Sequence, residues 1–479
     1  MNKLFISVGL VLAFAGACCN MALAAAENAP AENSSKPNVI VIMADDLGYH
    51  DLGFQGSDHI ISPHLDALAA AGTVFTDAHV AASVCSPSRA GFITGRYQTR
   101  FGHEANVPHG EDGMATSEFT LGQAFQSIGY RTCVIGKWHL GNMEYQYPTN
   151  RGFDDFWGMR EGSRSYWYNE KKNDHEGNPR AFEYNGKPEV FDGFFSDVLA
   201  DKAIAFIETH KEKPFFMFLS FNAPHTPLQA KEEDLKRCDG DPYAALIYNM
   251  DMNIGRVVET LEKNEIRSKT MIWFLSDNGG VVAKASNYPL KGTKGLKLEG
   301  GHRIPFILNW PGKVAEGEKY DGLTSSLDIF PTSFSAAGGD ITKLKNPLDG
   351  VNVMPHISGQ NGAEPHQKLY WRRLGVAALR EGPWKVIRVE GVKAALYNID
   401  KDLGEKKNLA AAMPEKVELM LADIANWEKE MVAPLWGESA KWVKWTHNTH
   451  AKLFLNEGEK LEVKESTGAE AIETKKKGK

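Results

Sequence analysis

NVIVIM, residues 38–43, is an almost continuous apolar run, and the acidic pair Asp45 and Asp46 follows it closely. Such a run is typical of a strand that is buried on both faces of a parallel sheet. Further candidate strands with the same apolar character are 132–135, 214–221, 270–275 and 304–309. Helical patterns lie between the strands, at 64–71, 120–128, 196–210 and 243–264. This alternation predicts an α/β fold with a mostly parallel central sheet flanked by helices, over residues 37–360.

The pattern changes after about residue 360. Short strand-like segments follow at 368–371, 376–380, 384–388 and 395–399, and then a helical segment at 414–431. We therefore expect a smaller C-terminal subdomain over residues 361–455, built from an antiparallel sheet and a helix. Residues 456–479 are rich in Glu and Lys, which predicts a disordered charged tail.

The N-terminus has the pattern of an export signal. Lys3 precedes an apolar run at 4–17, and Ala22-Leu23-Ala24 matches a small-x-small cleavage site. We predict a signal peptide at 1–24 and a linker at 25–36. A membrane anchor is the weaker interpretation because the run is short for a span, and lipidation of Cys18 or Cys19 is a third alternative. The protein is expected to be exported, periplasmic or secreted, without a stable membrane span.

Charge and cysteine content exclude some classes of protein. The 479 residues include 54 Lys and Arg against 61 Asp and Glu, a formal net charge of −7. This balance does not favour a nucleic-acid-binding protein, which needs a basic face. Two of the five cysteines lie in the predicted signal peptide. A disulfide between Cys133 and Cys238 is compatible with export, but the sequence leaves the pairing open.

Oxygen-rich pairs follow two of the candidate strands. Asp45 and Asp46 come after the first run, and Asp277 and Asn278 come after the run that ends at Ser276. Ligands of open α/β sheets bind beyond the carboxyl ends of the strands, so the two pairs are expected to form one cation site. Carboxylate and amide oxygens suit Ca²⁺ or Mg²⁺ better than zinc. The alternative is that each pair only caps a following turn or helix.

A longer motif points to a family. CSPSRAGFITGR, residues 85–96, resembles the signature of the type I, formylglycine-dependent sulfatases, which belong to the alkaline phosphatase-like superfamily. It departs from the usual pattern at Ile93, where leucine is common. Other blocks that are similar to the family, in the expected order, are GKWHLG (136–141), NAPHTP (222–227) and KGTKG (291–295).

The resemblance implies a modified nucleophile and one metal ion. A formylglycine-generating maturation enzyme would oxidise Cys85 to an aldehyde, whose hydrate carries two hydroxyl groups on one carbon. One hydroxyl would attack sulfur, and the second would allow sulfate to be released, which an ordinary serine could not do. One Ca²⁺ would be held by the four oxygen-bearing side chains named above together with an oxygen of modified Cys85.

The resemblance also implies roles for charged side chains. The implied catalytic set is Cys85, Arg89, Lys137, His139, His225 and Lys294. Arg89 lies one helical turn after Cys85, so it can stay close to the nucleophile, and with the two lysines it would neutralise the sulfate. His225, with Lys294, would protonate the leaving oxygen, and His139 would accept the proton of the second hydroxyl. Lys291 and Lys297, in the same loop as Lys294, are expected to be solvated.

The predicted activity is hydrolysis of sulfate esters, on a sulfated carbohydrate. One alternative is a phosphomonoesterase or phosphonate monoester hydrolase with the same fold and nucleophile. Another is a calcium-dependent glycan-binding protein without catalysis. Arginines can bind further sulfates and aromatic rings can stack on sugars, so substrate-pocket candidates are drawn from the segment just past the motif helix, from the loop 160–168 and from the position after Glu299-Gly300-Gly301. These candidates, which could also belong to ordinary surface loops, are Arg100, His103, Arg164, Trp167 and His302.

Overall fold

The computed structural model describes residues 36–108 and 112–456. Three predicted segments lie outside the described residues, apart from the single residues where they join them: 1–24, 25–36 and 456–479. No helix within the described ranges is long and apolar enough to cross a membrane. Pro37 and the described residues that follow it form one compact unit.

Strands occur throughout the described part of the chain. They are β1 (Asn38–Ala44), β2 (Thr73–Phe75), β3 (Ala78–His79), β4 (Arg131–Lys137), β5 (Asp155–Met159), β6 (Glu183–Tyr184), β7 (Lys187–Pro188), β8 (Phe215–Ser220), β9 (Thr270–Ser276), β10 (Phe306–Asn309), β11 (Glu318–Tyr320), β12 (Thr324–Ser325), β13 (Lys368–Arg373), β14 (Val376–Glu381), β15 (Trp384–Val389) and β16 (Val392–Asn398). They form one large sheet, a small pair of β3 and β12, and a separate sheet near the C-terminus.

The centre of the large sheet is parallel. Its strand order is β11-β2-β10-β9-β1-β8-β4-β5-β6-β7, and the five strands from β9 to β5 run parallel to one another. β10 is antiparallel to both β9 and β2, and β6 and β7 add an antiparallel edge. The predicted mostly parallel central sheet is therefore confirmed where it positions the site, and the sheet is mixed towards its edges.

The apolar first strand reflects burial on two faces. All seven residues of β1 are buried. Because side chains alternate along a strand, Ile40 and Ile42 enter one hydrophobic core, whereas Val39, Val41 and Met43 enter the other. Each face needs its own apolar residues, so the strand shows a continuous run instead of an alternating pattern.

Helices cover both faces of the large sheet. They are α1 (Pro63–Ala70), α2 (Cys85–Thr94), α3 (Leu121–Ser127), α4 (Phe195–His210), α5 (Glu232–Arg237), α6 (Pro242–Lys263), α7 (Glu299–His302), α8 (Ile329–Ala336), α9 (Met354–Ile357), α10 (Pro414–Glu428) and α11 (Ala440–Leu453). α1, α4 and α6 pack in the core that contains Ile40, and α2, α3 and α8 pack in the core that contains Val41. The predicted helical flanks are confirmed.

Local sequence explains where two of these helices begin. The Thr120 side chain accepts a hydrogen bond from the Gln123 N–H, and the Gln123 side chain accepts one from the Thr120 N–H, which makes a capping box at the start of α3. Asp241 accepts from the N–H groups of Tyr243 and Ala244 at the start of α6, where Pro242 occupies the first turn. The helical patterns predicted for both segments agree with the structure to within a residue or two.

The C-terminal part is an antiparallel sheet with helices. Its strand order is β13-β14-β15-β16, which confirms the predicted subdomain architecture. α10 packs on one face through Met420 and Ile424, and the other face packs on Leu296 and Leu298 of the preceding part of the chain. The domain boundary predicted near residue 360 falls between α9 and β13 and stays a prediction.

β5 and α11 are among the elements that the sequence patterns missed. β5 is only five residues long, and Asp155 and Gly158 interrupt its apolar residues, so it shows no continuous apolar run. α11 does carry a signal, because Ser439 accepts a hydrogen bond from the Trp442 N–H as an N-cap. Its mean hydropathy is low and only a narrow side of it is buried, so it resembles a polar segment when periodicity alone is considered.

Candidate active site at the carboxyl edge of the sheet

Two neighbouring parallel strands bring oxygen-bearing side chains together. Asp45 and Asp46 follow β1, and Asp277 and Asn278 follow β9. The Asp46 N–H donates to Asp277 Oδ1 at 3.2 Å. Asn278 Nδ2 donates to Asp46 Oδ1 at 2.7 Å. The two pairs meet because parallel strands end at the same edge of a sheet.

Cys85 lies among these carboxylates as the first residue of α2. Its Sγ is 3.4 Å from Asp45 Oδ1 and 3.9 Å from Asp46 Oδ1. Lys294 Nζ lies 3.0 Å from the same sulfur. The N-terminus of a helix carries a partial positive charge, so an anionic group bound beside residue 85 is favoured by the helix as well as by the lysine.

Arg89 connects the motif helix to the second strand pair. Its Nε and Nη2 lie 3.0 and 2.8 Å from Asp277 Oδ2, and its Nη1 donates to Ser220 Oγ and to the Lys137 carbonyl oxygen. Both Arg89 and Asp277 are fully buried. Because Arg89 counteracts the effect of burial, the pKa of Asp277 lies below its usual value, and the carboxylate stays ionised.

Two lysines neutralise the other carboxylates. Lys137 Nζ, at the end of β4, is 2.6 Å from Asp45 Oδ2, and both side chains are fully buried. Lys294 Nζ is 2.6 Å from Asp46 Oδ1. Burial opposes the charge of Lys294, yet Asp46 outweighs it and holds the pKa of Lys294 well above its usual value. Together with the Arg89–Asp277 pair, the cluster is formally neutral.

Unusual backbone geometry positions two of these groups. Asp46 and His139 have φ values of 68° and 59°, in the left-handed region that non-glycine residues rarely occupy. Such residues cost on the order of 1–3 kcal/mol each and concentrate at functional sites. Gly136, with φ of 112°, allows β4 to approach β8, because an added Cβ would lie 1.8 Å from the Ser220 carbonyl oxygen.

The oxygen cluster fits a divalent cation. Asn278 Oδ1 is buried and has no hydrogen-bond partner within the described residues. A buried acceptor without a donor is unfavourable, and a cation at this point would satisfy it. Ligand atoms of Asp45, Asp46, Cys85 and His225 all lie within 4.8 Å of one another. Carboxylate and amide oxygens are the ligands that Ca²⁺ and Mg²⁺ prefer, so these residues could hold one such ion.

Burial changes the protonation of two groups in the site. It raises the pKa of the Cys85 thiol well above its usual range, and Asp277 adds to the effect, so the unmodified thiol is protonated at neutral pH. Burial also lowers the pKa of His139 well below its usual range, with a further contribution from Lys137. The imidazole is therefore neutral, and its Nδ1 has no partner within the described part of the chain.

His225 lies in the loop after β8. Its Nδ1 is 2.7 Å from the Thr226 carbonyl oxygen, which identifies Nδ1 as a hydrogen-bond donor. Its Nε2 is 3.6 Å from Asp46 Oδ2. The Tyr166 hydroxyl lies within hydrogen-bond distance of the carbonyl oxygens of Asn222 and His225. Tyr166 belongs to the segment 160–168, which the sequence suggested as a pocket loop. Its buried hydroxyl instead holds the backbone of the His225 loop.

A cavity of about 640 Å³ adjoins the cluster, because Asp46, His225 and Lys294 line it. Its other walls include residues that sequence reasoning did not single out, namely Lys284, Arg373 and Trp442. They come from the loop after β9, from β13 and from α11. No motif connects these three segments, and the Trp442–Trp445 spacing was the only available signal.

Two arginines predicted for the pocket lie elsewhere. Arg100 pairs with Asp349 at 2.7 Å and with Glu430 at 3.2 Å. Arg164 is buried and pairs with Asp174 at 2.8 Å. Neither is among the residues that line the cavity. The structure thus places both guanidinium groups in structural ion pairs, which sequence spacing could not distinguish from substrate contacts.

The other three pocket candidates are also outside the cavity lining. His103 is fully buried, and its Nε2 lies 2.7 Å from Ser86 Oγ; burial lowers the pKa of His103 to about 3. His302 is fully buried and stacks on Trp371 with ring centroids 4.1 Å apart. Trp167 is 40% exposed but packs edge-on against Phe194. Residue type alone did not indicate which way these side chains point.

The structure corrects the expected exposure of two lysines and answers the question of the cysteine pairing, which the sequence left open. Lys297 is buried, with Nζ 3.2 Å from Ser83 Oγ, and Lys291 is half-buried, with Nζ 2.9 Å from the Glu405 carbonyl oxygen. The prediction that both are solvated was wrong, because the C-terminal sheet covers their loop. Cys133 and Cys238 are both buried and free, so they are not paired in this structure.

The fold and this cluster define a class of enzyme. A central parallel sheet with carboxylates at its carboxyl edge, oxygens that fit a divalent cation and a cysteine at a helix N-terminus is the arrangement of an alkaline phosphatase-like hydrolase. Such enzymes act on tetrahedral oxyanion esters, whose negative charge the cations around Cys85 can balance.

Comparison with known proteins identifies the family. The sulfatase family model matches residues 37–339. YdeN, an uncharacterized sulfatase of Escherichia coli (strain K12), is 34% identical and covers 71% of this chain and 70% of its own. The N-acetylgalactosamine-6-sulfatase of Mus musculus is 30% identical, and the match covers 73% of this chain and 71% of that protein. The crystal structure of Ps i-CgsB in complex with k-i-k-neocarrahexaose has a TM-score of 0.80 at 36% identity. The match covers 86% of this chain and 97% of that chain. The chain belongs to the sulfatase family and is a sulfuric ester hydrolase.

Proposed function

We propose that the protein removes sulfate from a sulfated carbohydrate, with residue 85 in its formylglycine form and one calcium ion in the oxygen cluster. The observation that carries this proposal is the surroundings of Cys85, where three carboxylates and three cations surround one side chain at a helix N-terminus. The similarity to Ps i-CgsB, solved in complex with k-i-k-neocarrahexaose, supports a carbohydrate substrate.

The proposed calcium ligands are the oxygens at the ends of β1 and β9. Asp45, Asp46, Asp277 and Asn278 would hold the ion, together with an oxygen of the modified residue 85. The unpartnered Asn278 Oδ1 supports this assignment. When bound, such an ion supplies positive charge that stabilises the negative charge of the reacting sulfate.

The cations of this chain provide the rest of the charge neutralisation. Arg89 and Lys137 are fixed by burial and by their carboxylate partners, so they need no reorganisation when the substrate enters. Lys294 contacts the sulfur atom of residue 85, and it is the cation of this set that also lines the cavity. Hydrated formylglycine supplies two hydroxyl groups on one carbon, one to attack sulfur and one to permit release.

Two histidines are proposed to move protons. His225 lines the cavity, with Nδ1 fixed by the Thr226 carbonyl oxygen, so its Nε2 is the nitrogen available to the leaving oxygen. Lys294 stands close enough to assist. His139 is neutral and has an unpartnered Nδ1, so it can accept the proton of the second hydroxyl of residue 85.

The test of the function is a comparison of two esters with the same leaving group. We expect kcat/KM for 4-nitrophenyl sulfate to exceed that for 4-nitrophenyl phosphate by about tenfold or more, which corresponds to about 1.4 kcal/mol of transition-state stabilisation. The reason is that the formally neutral cluster, with calcium bound and the attacking hydroxyl of residue 85 ionised, would carry a charge of +1. This charge balances the single charge of a sulfate ester but not the double charge of a phosphate ester. Faster turnover of the phosphate would favour the phosphomonoesterase alternative.

Removing divalent cations should abolish most of the activity. We expect a chelator to lower kcat by about 10²-fold or more, because a preorganised positive charge is lost next to the reacting oxygens. Adding calcium back should restore the rate, and a chelator already saturated with calcium serves as the control. Full activity in a sample shown to be metal-free by elemental analysis would rule out the proposed cation site.

A further inference from the structure

The cavity beside the active site is larger than a sulfate group requires. Cavities of about 300–1,000 Å³ commonly hold organic ligands of drug size, and this one has about 640 Å³. Much of its wall is apolar, with Val84, Pro108, Leu228 and Val281 among the lining residues. A sulfate ion alone gains no binding free energy from apolar walls, whereas a larger leaving group would bury its apolar surface against them.

Trp442 forms a rigid apolar wall next to the catalytic lysine. Its ring stacks on Trp445 with centroids 4.7 Å apart and an interplanar angle of 21°. Both rings pack against Gly295, the residue after Lys294; a Cβ there would lie 3.2 Å from Trp442 Cζ2. The Arg373 guanidinium lies 5.6 Å from the centroid of the Trp442 ring. These contacts hold an indole face at a fixed position in the cavity that contains Lys294.

Two cationic groups that line the same cavity do not belong to the catalytic cluster. Lys284 is exposed, and no carboxylate within the described residues pairs with it. Arg373 is buried, with only 3% of its surface exposed. Its Nη atoms contact the Gly295 carbonyl oxygen and Glu438, but its Nε has no partner in the described ranges. The cavity thus offers an unpaired ammonium group and a buried unpartnered N–H donor, both suited to an anion, beside the carboxylate of Glu438, which pairs with Arg373 and lines the same cavity.

Building on the sulfatase function proposed above, we propose that this cavity binds a chain of sulfated sugars and that a second sulfate is recognised beside the reacting one. Trp442 contacts the apolar face of a sugar ring. Lys284 and the Nε of Arg373 bind the sulfate of a neighbouring sugar. The substrate class is therefore an oligosaccharide or polysaccharide with more than one sulfate, because a singly sulfated sugar would leave these donors without a partner.

The test measures how sulfated hexasaccharides inhibit turnover of 4-nitrophenyl sulfate. The probes are an iota-type carrageenan hexasaccharide and a heparin hexasaccharide, with the less sulfated kappa-type hexasaccharide as their comparison. We expect the highly sulfated probes to inhibit more strongly than the kappa-type probe. Lys284→Ala should raise the inhibition constant about fivefold for the highly sulfated probes and less for the kappa-type probe, since a charge-assisted hydrogen bond is lost.

Variants of α11 separate binding from folding. Trp442→Ala should raise the inhibition constant for all probes about tenfold, and Trp442→Phe should restore most of the affinity. Lys444→Ala removes the same charge as Lys284→Ala from the exposed side of α11, outside the cavity lining, and should leave inhibition unchanged. Equal effects of Lys284→Ala and Lys444→Ala, or no inhibition by either highly sulfated probe, would overturn the proposal. Absence of both 4-nitrophenyl sulfate turnover and sulfate release from the hexasaccharides by the unaltered protein would instead defeat the proposed function itself.

Discussion

Cys85→Ser is expected to lower kcat for sulfate esters by about 10⁴- to 10⁶-fold, the loss seen when a catalytic nucleophile is removed. The variant is to be produced with a maturation enzyme that accepts only cysteine, so that residue 85 stays a serine. A serine ester of sulfate has no second hydroxyl on the same carbon, so a product formed even once could not be released. The measurement is turnover of 4-nitrophenyl sulfate together with mass spectrometry of the peptide that contains residue 85.

The fold should survive this change. The hydroxyl is smaller than the thiol, and it can hydrogen-bond to Asp45 and Lys294, which already contact the sulfur atom. Cys238→Ser is the matched control, because Cys238 is a free, buried cysteine after α5, away from the cluster, and its loss should leave kcat unchanged. Active protein with an unmodified thiol at residue 85 would contradict the formylglycine mechanism.

Lys385→Met is expected to lower the free energy of unfolding by about 3–5 kcal/mol, because it removes the counter-ion of the buried Glu405 and leaves Glu299 with Arg303 alone. Lys385 lies in β15 with no exposed surface, and its Nζ is 2.8 Å from Glu299 Oε1 and 3.0 Å from Glu405 Oε1. Both glutamates are fully buried. Glu299 begins α7, directly after the Lys294 loop, so the substitution weakens the contact between the C-terminal sheet and the active-site region. Urea denaturation measures the loss.

A matched lysine on the same sheet provides the control. Lys393 lies in β16 and is exposed, so Lys393→Met should change the free energy of unfolding by less than about 0.5 kcal/mol. Adding Glu405→Gln to Lys385→Met should recover part of the loss, since it removes one surplus charge. Burial already raises the pKa of Glu405 to about 7, so Glu405 is more easily protonated than Glu299. Equal stability of Lys385→Met and Lys393→Met would show that the ion pairs of Lys385 contribute little to the free energy of unfolding.

The candidate catalytic residues could be identified from sequence because they occur in short contiguous blocks. Cys85 and Arg89 are separated by one helical turn, and both stay in the same cluster once α2 forms. Asp45 and Asp277 each follow an apolar run, and the rule that parallel strands end together predicts their proximity without any tertiary information. Their proposed roles await the experiments above, but their convergence needed only strand order and direction.

The substrate pocket could not be identified in this way. Arg164 and His302 have the residue types expected of a sulfate-binding pocket, yet their side chains turn into the interior and meet Asp174 and Trp371. Lys284, Arg373 and Trp442 line the cavity although they belong to no common motif. Side-chain direction depends on which segments pack against each loop, and a single sequence does not record those contacts.

The α/β architecture, the antiparallel C-terminal sheet and the convergence of the candidate ligands follow from the order of residues, because apolar runs and strand direction are local properties of the chain. In contrast, the wall that α11 and β13 contribute to the active-site cavity and the burial of Lys297 beneath the C-terminal sheet arise only when distant segments pack together. The free energy of such contacts depends on packing and desolvation, which residue type and spacing do not encode.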